Sequence, residues 1–189
     1  HAIDISSASM ERDPAKCILC GRCVRVCHEV QKVGAIDFTK RGFTSIVTTP
    51  YNKGLNVSDC ILCGQCILVC PTAALREKSA VKEVANAIYN RKKYCIVQVA
   101  PAVRASLGEE YNMPLGTDVT GLLVTGLRRL GIKKVFDTNF AADLTIMEEA
   151  TELINRVQNG GSLPMFTSCC PGWVKYVEMN RPEVLEHVS

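Results

Sequence analysis

Two runs of four cysteines that share one spacing constrain this chain more than any other feature. The first run consists of Cys17, Cys20, Cys23 and Cys27, and the second of Cys60, Cys63, Cys66 and Cys70. Both have the spacing C-x2-C-x2-C-x3-C, and Pro71 follows the second run. With eleven cysteines in 189 residues, four fixed positions are all cysteine by chance about once in 10⁵ starts. The repetition therefore points to a shared function for all eight thiols.

This spacing is typical of bacterial ferredoxins with two [4Fe–4S] clusters, in which each run gives three thiolates to one cluster and its fourth to the other. The pattern predicts one ligand set of Cys17, Cys20, Cys23 and Cys70. It predicts a second set of Cys60, Cys63, Cys66 and Cys27. We expect each fourth cysteine to lie on a short helix, and we expect the crossing to make folding depend on metal.

Two other uses of the cysteines remain open. Zinc sites also contain C-x2-C pairs, but they usually take four ligands from two well-separated pairs. A disulfide framework requires an oxidising compartment and a small chain with little core. Both fit less well than iron–sulfur clusters in a chain that is 47% hydrophobic.

Composition excludes several other classes of function. The net charge of +3 is mixed along the chain, and no basic block is interleaved with aromatic residues, so nucleic-acid binding has little support. No apolar run approaches the roughly 18 residues of a membrane span. No signal peptide is visible, and a chain without an initiator Met is expected to have its native start upstream. We therefore expect a cytoplasmic protein, with a periplasmic location left open.

Two domains are predicted, at residues 1–78 and 79–189. The first is an α+β ferredoxin-like domain with two [4Fe–4S] clusters, and residues 38–57 are expected to form a strand or hairpin between the two cysteine runs. The second is the start of an α/β domain with a parallel sheet, because helical and strand patterns alternate. Its predicted helices are 79–93, 118–130, 142–159 and 171–180, and its predicted strands are 94–100, 134–136 and 163–167.

The ends of these strands indicate a second site. Open α/β sheets bind ligands beyond the carboxyl ends of their strands. Here those ends are residues 100–104, 137–140 and 168–171, which we expect to converge. The last segment contains Cys169 and Cys170 just before a predicted helix, where thiol pKa values are lowered. The pair is either a metal thiolate with a reactive neighbour or two buried thiols acting as small hydrophobic residues.

Four segments resemble [FeFe]-hydrogenases. Residues 167–173 (TSCCPGW) resemble the first signature motif of that family, and residues 100–104 (APAVR) resemble its first active-site loop. Residues 136–140 (FDTNF) and 146–152 (IMEEATE) resemble the intervening segment. The twin cysteine runs match the accessory ferredoxin domain, so the resemblance covers the whole chain.

The resemblance implies an activity and roles for individual residues. The family catalyses 2H⁺ + 2e⁻ ⇌ H₂ at the H-cluster, a [4Fe–4S] cube joined by a thiolate to a di-iron centre. By motif match, Cys170 would be a ligand of the cube and Cys169 the thiol that passes protons. Pro101 and Ala102 would line the pocket for a cyanide ligand, and the two ferredoxin clusters would carry electrons to the site.

The family also has a proton relay, whose counterparts here are Glu149, Glu152 and Ser189. On the predicted helix, the apolar positions 146, 147, 150, 153, 154 and 157 form a stripe. Glu149 lies at the border of this stripe, and Glu152 lies about 60° further out. This arrangement fits a path from core to solvent. The alternative is that both are ordinary surface glutamates.

The resemblance also implies missing parts. The cube requires four thiolates, and of these the chain offers Cys170. We therefore expect that this chain is a fragment of a longer enzyme or that the remainder of the H-cluster domain, its expected partner, lies on another chain. The expected electron partner is ferredoxin, flavodoxin or a flavin subunit that oxidises NAD(P)H. Two classes of function remain: part of a hydrogenase, or an electron carrier or iron–sulfur assembly protein that is not an enzyme.

Overall fold

The computed structural model of this chain describes residues 2–90 and 93–189. It divides into two compact units. The first consists of His1–Ser79 together with Pro164–Ser189, and the second of Ala80–Leu163. The predicted domain boundary after residue 78 lies next to the first division, whereas the segment from Pro164 onward groups with the cysteine runs.

The first unit begins with short elements around the cysteine runs. In chain order they are β1 (Met10–Arg12), α1 (Arg22–Arg25), β2 (Asp37–Thr39), β3 (Ile46–Thr48), α2 (Gln65–Leu68) and β4 (Leu75–Glu77). Strands β1 and β4 pair antiparallel, so the start and end of this segment lie side by side. Strands β2 and β3 form an antiparallel hairpin, in agreement with the strand or hairpin predicted at residues 38–57, although it begins one residue earlier.

The second unit contains longer helices and two strands. These are α3 (Val81–Tyr89), β5 (Ile96–Val99), α4 (Pro101–Glu110), α5 (Thr120–Leu130), β6 (Lys134–Asp137) and α6 (Thr138–Asn159). Strands β5 and β6 pair in parallel, with Ile96 opposite Lys134 and Val99 opposite Asp137. Gly131 ends α5 at φ 109° and Gly160 ends α6 at φ 77°, as glycines in the left-handed region commonly do.

The chain then returns to the first unit through α7 (Pro171–Asn180), whose bounds match the prediction, and a 3₁₀ segment at Pro182–His187. Within the part of the chain that the structure describes, every helix is too short or too polar to form a membrane span.

Several predicted elements differ from the structure. The predicted buried strand at 94–100 is β5, which is exposed on one face. Helix α4 begins at Pro101, where a loop was predicted, and α6 begins at Thr138 rather than at 142. Within the described residues, 163–167 form no strand, and Phe166 makes an isolated parallel bridge with Val188. The end of the predicted helix 79–93, at residues 91 and 92, lies outside the described residues.

The core of the first unit forms around the cysteine loops. Met10 and Leu55 are each 1% exposed, and they pack in one apolar cluster with Ile36 and Leu75. Several cysteine side chains lie in or against the same cluster. A domain this small buries little apolar surface for its size, so bound metal is a common additional source of stability.

Candidate metal centres and the paired cysteines

The two cysteine runs fold into loops with the same backbone. Leu19 has φ 58° and its counterpart Leu62 has φ 61°. Gly21 has φ 72° and Gly64 has φ 73°, and each precedes a one-turn helix. Left-handed backbone at leucine costs about 1–2 kcal/mol, so the surrounding structure has to stabilise it. The repeated backbone agrees with the repeated sequence.

The third and fourth cysteines of each run lie in or near these helices. Cys23 and Cys66 lie within α1 and α2. Cys27 lies in a π-helical segment, Val26–Val30, that continues α1. Cys70 lies beyond the end of α2, so the prediction of a helix at the fourth cysteine is correct for the first run and wrong for the second.

A first cavity has about 500 Å³ of space that protein atoms do not fill, part of it open to solvent. Its walls include four of the cysteines, namely Cys17, Cys20, Cys23 and Cys70. Apolar side chains complete much of the wall, among them Ile36, Val47 and Leu75. The structure therefore brings together the four thiols that the spacing predicts as one set.

A second cavity has about 430 Å³ of unfilled space, part of it open to solvent. Its walls include the other four cysteines, namely Cys27, Cys60, Cys63 and Cys66. Ile36 and Leu75 line both cavities and are 4% and 5% exposed. The two cavities are thus neighbours that share a dry wall, which is a suitable arrangement for two redox groups that exchange electrons.

The described residues contain no group of three or more His, Cys, Asp or Glu side chains arranged to hold a metal ion. The thiols of each set instead surround a cavity. A polynuclear cluster, whose ligands bind different iron atoms, requires thiols spaced in this way.

Burial keeps several of these thiols protonated while no metal is bound. It raises the pKa of Cys23 to about 11 and that of Cys66 to about 12, and neighbouring thiols add to both shifts. Burial also raises the pKa of Cys60. Iron binds the thiolate, so loading must release these protons.

Backbone N–H groups already donate to sulfur atoms at both cavities. At the first, burial acts to raise the pKa of Cys70, but hydrogen bonds from the Leu75, Thr72 and Ala74 backbone outweigh it and lower the value. At the second, the N–H of Ala35 lies 3.3 Å from the Sγ of Cys27. Hydrogen bonds to cluster sulfurs are one of the levers that set reduction potential.

A buried arginine also favours an occupant in the first cavity. Arg12 is 7% exposed and lines this cavity. Its terminal nitrogens donate to the carbonyl of Val47 and to Oδ1 of Asn52, each at 3.2 Å. Its Nε is buried and has no hydrogen-bond partner in the described part of the chain. A buried donor without an acceptor is costly, and an anionic sulfur cluster would supply acceptors. The residues at both cavities fit [4Fe–4S] clusters.

The paired cysteines lie at the start of α7, in the first unit. Cys169 and Cys170 are exposed, which disfavours the alternative that they are buried small hydrophobic residues. The N–H of Cys170 donates to Oγ of Ser168 at 3.1 Å. Ser189 lies in the same unit, where its N–H donates to the carbonyl of Phe166 at 2.9 Å.

Helix α7 contacts the loop of the second cavity. A Cβ atom at Gly172 would lie 3.2 Å from the carbonyl oxygen of Ile61 and 3.7 Å from Cα of Cys63. Nζ of Lys175 donates to the carbonyl oxygen of Cys60 at 2.6 Å. Sequence reasoning missed both contacts, because nothing in the cysteine spacing refers to a helix about a hundred residues away.

Pro101 and Ala102, which were predicted to lie in a loop, occupy the first turn of α4 in the second unit, and both are exposed. Nearby, Arg104 pairs with Asp137 at 3.3 Å, so the segments after β5 and β6 converge as predicted. The third predicted segment, 168–171, belongs to the other unit. Its convergence with the first two stays a prediction.

Glu149 and Glu152 lie on α6 and are both partly buried. Nε of Arg156 donates to Oε1 of Glu152 at 2.9 Å. The predicted apolar stripe is exposed, with Met147 at 66% and Ile154 at 54%. The stripe is therefore not covered within this unit, and the relay stays a prediction.

Comparisons with known proteins give a consistent result. A family model described as "Iron only hydrogenase large subunit, C-terminal domain" matches residues 93–189. A model described as "4Fe-4S dicluster domain" matches residues 16–96. The two matches together cover most of the chain.

Among individual relatives, iron hydrogenase 1 of Clostridium pasteurianum is 51% identical over 187 residues, 99% of this chain and 33% of that protein. NADP-reducing hydrogenase subunit HndD of Solidesulfovibrio fructosivorans is 48% identical over 186 residues, 95% of this chain and 32% of that protein. Cytosolic Fe-S cluster assembly factor narfl of Xenopus tropicalis is 34% identical over 102 residues, 51% of this chain and 21% of that protein. The chain spans about a third of the length of the two hydrogenases.

Proposed function

The chain belongs to the iron-only hydrogenase family, and from this premise we propose that it supplies the electron path and the first ligand of an enzyme that catalyses 2H⁺ + 2e⁻ ⇌ H₂. The observation that carries the proposal is the pair of adjacent four-thiol cavities, one of which contacts the helix that begins after Cys170. A dry shared wall supports electron exchange between two [4Fe–4S] clusters, and the helix contact supports exchange with the site at Cys170.

In this proposal the ligand sets are those that line the two cavities. The H-cluster would supply the chemistry of hydrogen formation and cleavage. Of its thiolate ligands this chain would provide Cys170, at the N-cap of α7. Cys169 would hold and pass a proton, and Pro101 and Ala102 would line the pocket for a cyanide ligand. Glu149, Glu152 and Ser189 would continue the proton path.

The exposed apolar surface of the second unit supports a further partner. Leu122, Leu130, Phe140 and Met147 are each more than 60% exposed. Leu122 and Leu130 line one apolar groove together with Leu107 and Leu127. Single exposed apolar residues are ordinary, but a contiguous apolar groove is typical of a surface that another segment covers. We propose that the remainder of the H-cluster domain covers it.

Ferredoxin, flavodoxin and a flavin subunit that exchanges electrons with NAD(P)H are the proposed electron partners, in the cytoplasm. The name of one relative, an NADP-reducing hydrogenase subunit, favours a partner that exchanges electrons with NADP(H).

An electron carrier or assembly protein is the second candidate, favoured by the match to an Fe-S cluster assembly factor over about half of the chain. The adjacent thiols distinguish the two, because a carrier has no use for a proton-relay thiol beside a ligand.

Hydrogen turnover in the full-length protein is the test. A thiol near neutral pKa both accepts and donates protons, whereas a hydroxyl does not do so readily. Cys169→Ser should therefore leave the iron content unchanged and lower turnover on the order of 10²–10⁴-fold. Cys169→Asp should restore part of the rate, and Cys170→Ser should impair cluster assembly. Full turnover by Cys169→Ser would refute the relay, and a full-length protein without turnover would favour the carrier.

A second measurement uses residues 1–189 alone. This chain has one of the proposed cube ligands, so after anaerobic reconstitution it should pass electrons between dyes but neither evolve nor oxidise H₂. Hydrogen evolution by this chain would contradict the ligand count.

A further inference from the structure

Lys175 connects the helix that follows Cys170 with the loop of the second cavity. Its Nζ donates to the carbonyl oxygen of Cys60 at 2.6 Å, although the two residues are 115 positions apart. The contact is partly buried, so water screens the charge less than it would at the surface. A charged donor on a carbonyl is a stronger hydrogen bond than a neutral one.

Gly172 brings the same helix close to the loop. The position that a Cβ atom would take at Gly172 lies 3.7 Å from Sγ of Cys170 and 3.7 Å from Cα of Cys63. The proposed cube ligand and a proposed ligand of the second cluster are therefore neighbours across one glycine. Lys175, one turn further along α7, holds the helix in this place.

The charge of Lys175 acts on sulfur as well as on the carbonyl. The ammonium is bonded to the backbone of Cys60, a proposed ligand of the second cluster, so its charge lies close to that sulfur. A cation that stabilises negative charge at this sulfur also stabilises the extra electron of a reduced cluster.

The first cavity has a different arrangement. Its buried cation, Arg12, donates to the carbonyl of Val47 and to Oδ1 of Asn52 rather than to a cysteine loop. The cations of the first cysteine loop itself, Lys16, Arg22 and Arg25, are exposed. Ile18 of this loop is 62% exposed, whereas its counterpart Ile61, under α7, is 6% exposed. Charges that face water are screened and shift a potential less than a charge at a covered contact.

Building on the proposed function, we propose that Lys175 is a positioning residue that selectively raises the reduction potential of the second cluster, the one nearest Cys170. A higher reduction potential of the second cluster favours an electron on that cluster, beside α7, over an electron on the first cluster. Lys175 would act through the Cys60 loop and would touch neither the H-cluster nor its substrate.

The test is a redox titration of anaerobically reconstituted residues 1–189, followed by electron paramagnetic resonance. Lys175→Met removes the charge and keeps most of the side-chain length, and Lys175→Arg keeps the charge. Lys53→Met is the control for net charge, because Lys53 is exposed in the same unit and lines neither cluster cavity. Cys20→Ser and Cys63→Ser assign each signal to one cluster.

In Lys175→Met, the ratio of reduced to oxidised second cluster at a fixed potential should fall on the order of tenfold. The first cluster should not respond, and both Lys175→Arg and Lys53→Met should behave as the unchanged chain does. A residue that only supported the fold would not move one potential while leaving the other in place.

Iron and sulfide analysis separates the possible failures. A reconstituted chain without iron would refute the proposed function itself. An iron-loaded chain whose second cluster does not respond to Lys175→Met would overturn the role of Lys175 alone. If Lys175→Met loses the second cluster, Lys175→Gln decides, because it keeps a donor without the charge. A lowered potential in that variant supports the proposal, and an unchanged potential or a lost cluster overturns it.

Discussion

The two cysteine loops of the first unit share a sequence and differ in their surroundings. Both read C-I-L-C-G, and both place Leu and Gly in the left-handed region at nearly the same φ values. Their charges differ, because Lys16, Arg22 and Arg25 of the first loop correspond to Asp59, Gln65 and Leu68 of the second. The first loop is cationic, and the second is not.

Exposure separates the loops further. Ile18 is 62% exposed and Ile61 is 6% exposed, although both follow the first cysteine of a run. Helix α7 approaches the carbonyl of Ile61, and Lys175 binds the carbonyl of Cys60. The local sequence thus determines the backbone of each cysteine loop, whereas distant segments determine its environment. The same cysteine motif can therefore hold a cluster at an exposed position and another at a position that a helix covers.

The largest expected effect comes from removing single thiols, and it tests whether the two loops cross. Anaerobic reconstitution should give about eight irons per chain. Cys17→Ser and Cys70→Ser should abolish the signal of one cluster, and Cys27→Ser and Cys60→Ser the signal of the other, each lowering iron to about half. Iron analysis and electron paramagnetic resonance measure this.

If Cys17→Ser and Cys27→Ser instead abolished the same signal, each loop would hold its own cluster and the crossing would be wrong. Stoichiometric zinc without iron would contradict the cluster assignment for both loops.

Truncation of Ile18 and of Ile61 should change the free energy of unfolding by different amounts. Ile61→Ala should lower the free energy of unfolding by about 2–4 kcal/mol, because it removes a buried side chain and leaves a cavity. Ile18→Ala should change it by less than about 0.5 kcal/mol, because the Ile18 side chain is already largely in water. Anaerobic urea titrations of the reconstituted chain, followed by circular dichroism, measure both. Equal losses would mean that α7 does not cover the second loop in solution.

Much of the fold can be predicted from local signals. Gly131, Gly160 and Pro171 mark helix ends and starts because each has a conformational reason to lie there. The strand predicted at 163–167 failed because an apolar run forms a strand only where a neighbouring strand pairs with it. Within the described residues, that segment has an isolated bridge to Val188. Helix α4 was missed because residues 100–104 were interpreted as a loop after the strand at 94–100, although Pro at position 101 also starts helices.

The candidate site also contains residues that the sequence predicts and residues that it does not. The spacing of the cysteines predicts the two sets of thiols that line the cavities, and their role as ligands stays a prediction. Arg12 and Lys175 could not be predicted. Their significance depends on contacts 35 and 115 positions away, with Val47 and Cys60. Long-range polar contacts leave no periodic signal in a sequence.

The smallest expected difference concerns the glycines that begin the two short helices. Gly21→Ala and Gly64→Ala both force alanine into left-handed backbone, which costs about 1–2 kcal/mol. At Gly64 a Cβ would meet no atom within 4 Å, whereas at Gly21 it would lie 3.2 Å from the ring of Phe38. Gly21→Ala should therefore be the more destabilising of the two, by less than about 1 kcal/mol, because Phe38 is 47% exposed and its ring can move.

A double-mutant cycle isolates that difference from the shared backbone strain. In a Phe38→Leu background, Gly21→Ala should lower the free energy of unfolding by no more than Gly64→Ala does. The effects of Phe38→Leu and Gly64→Ala should simply add. Urea titrations of the reconstituted variants measure the coupling, and iron analysis establishes that each retains both clusters. If Gly64→Ala lowered the free energy of unfolding more than Gly21→Ala, a Cβ at Gly64 would have to meet a neighbouring atom that the structure does not place within 4 Å. The two loops would then differ in local strain as well as in what covers them.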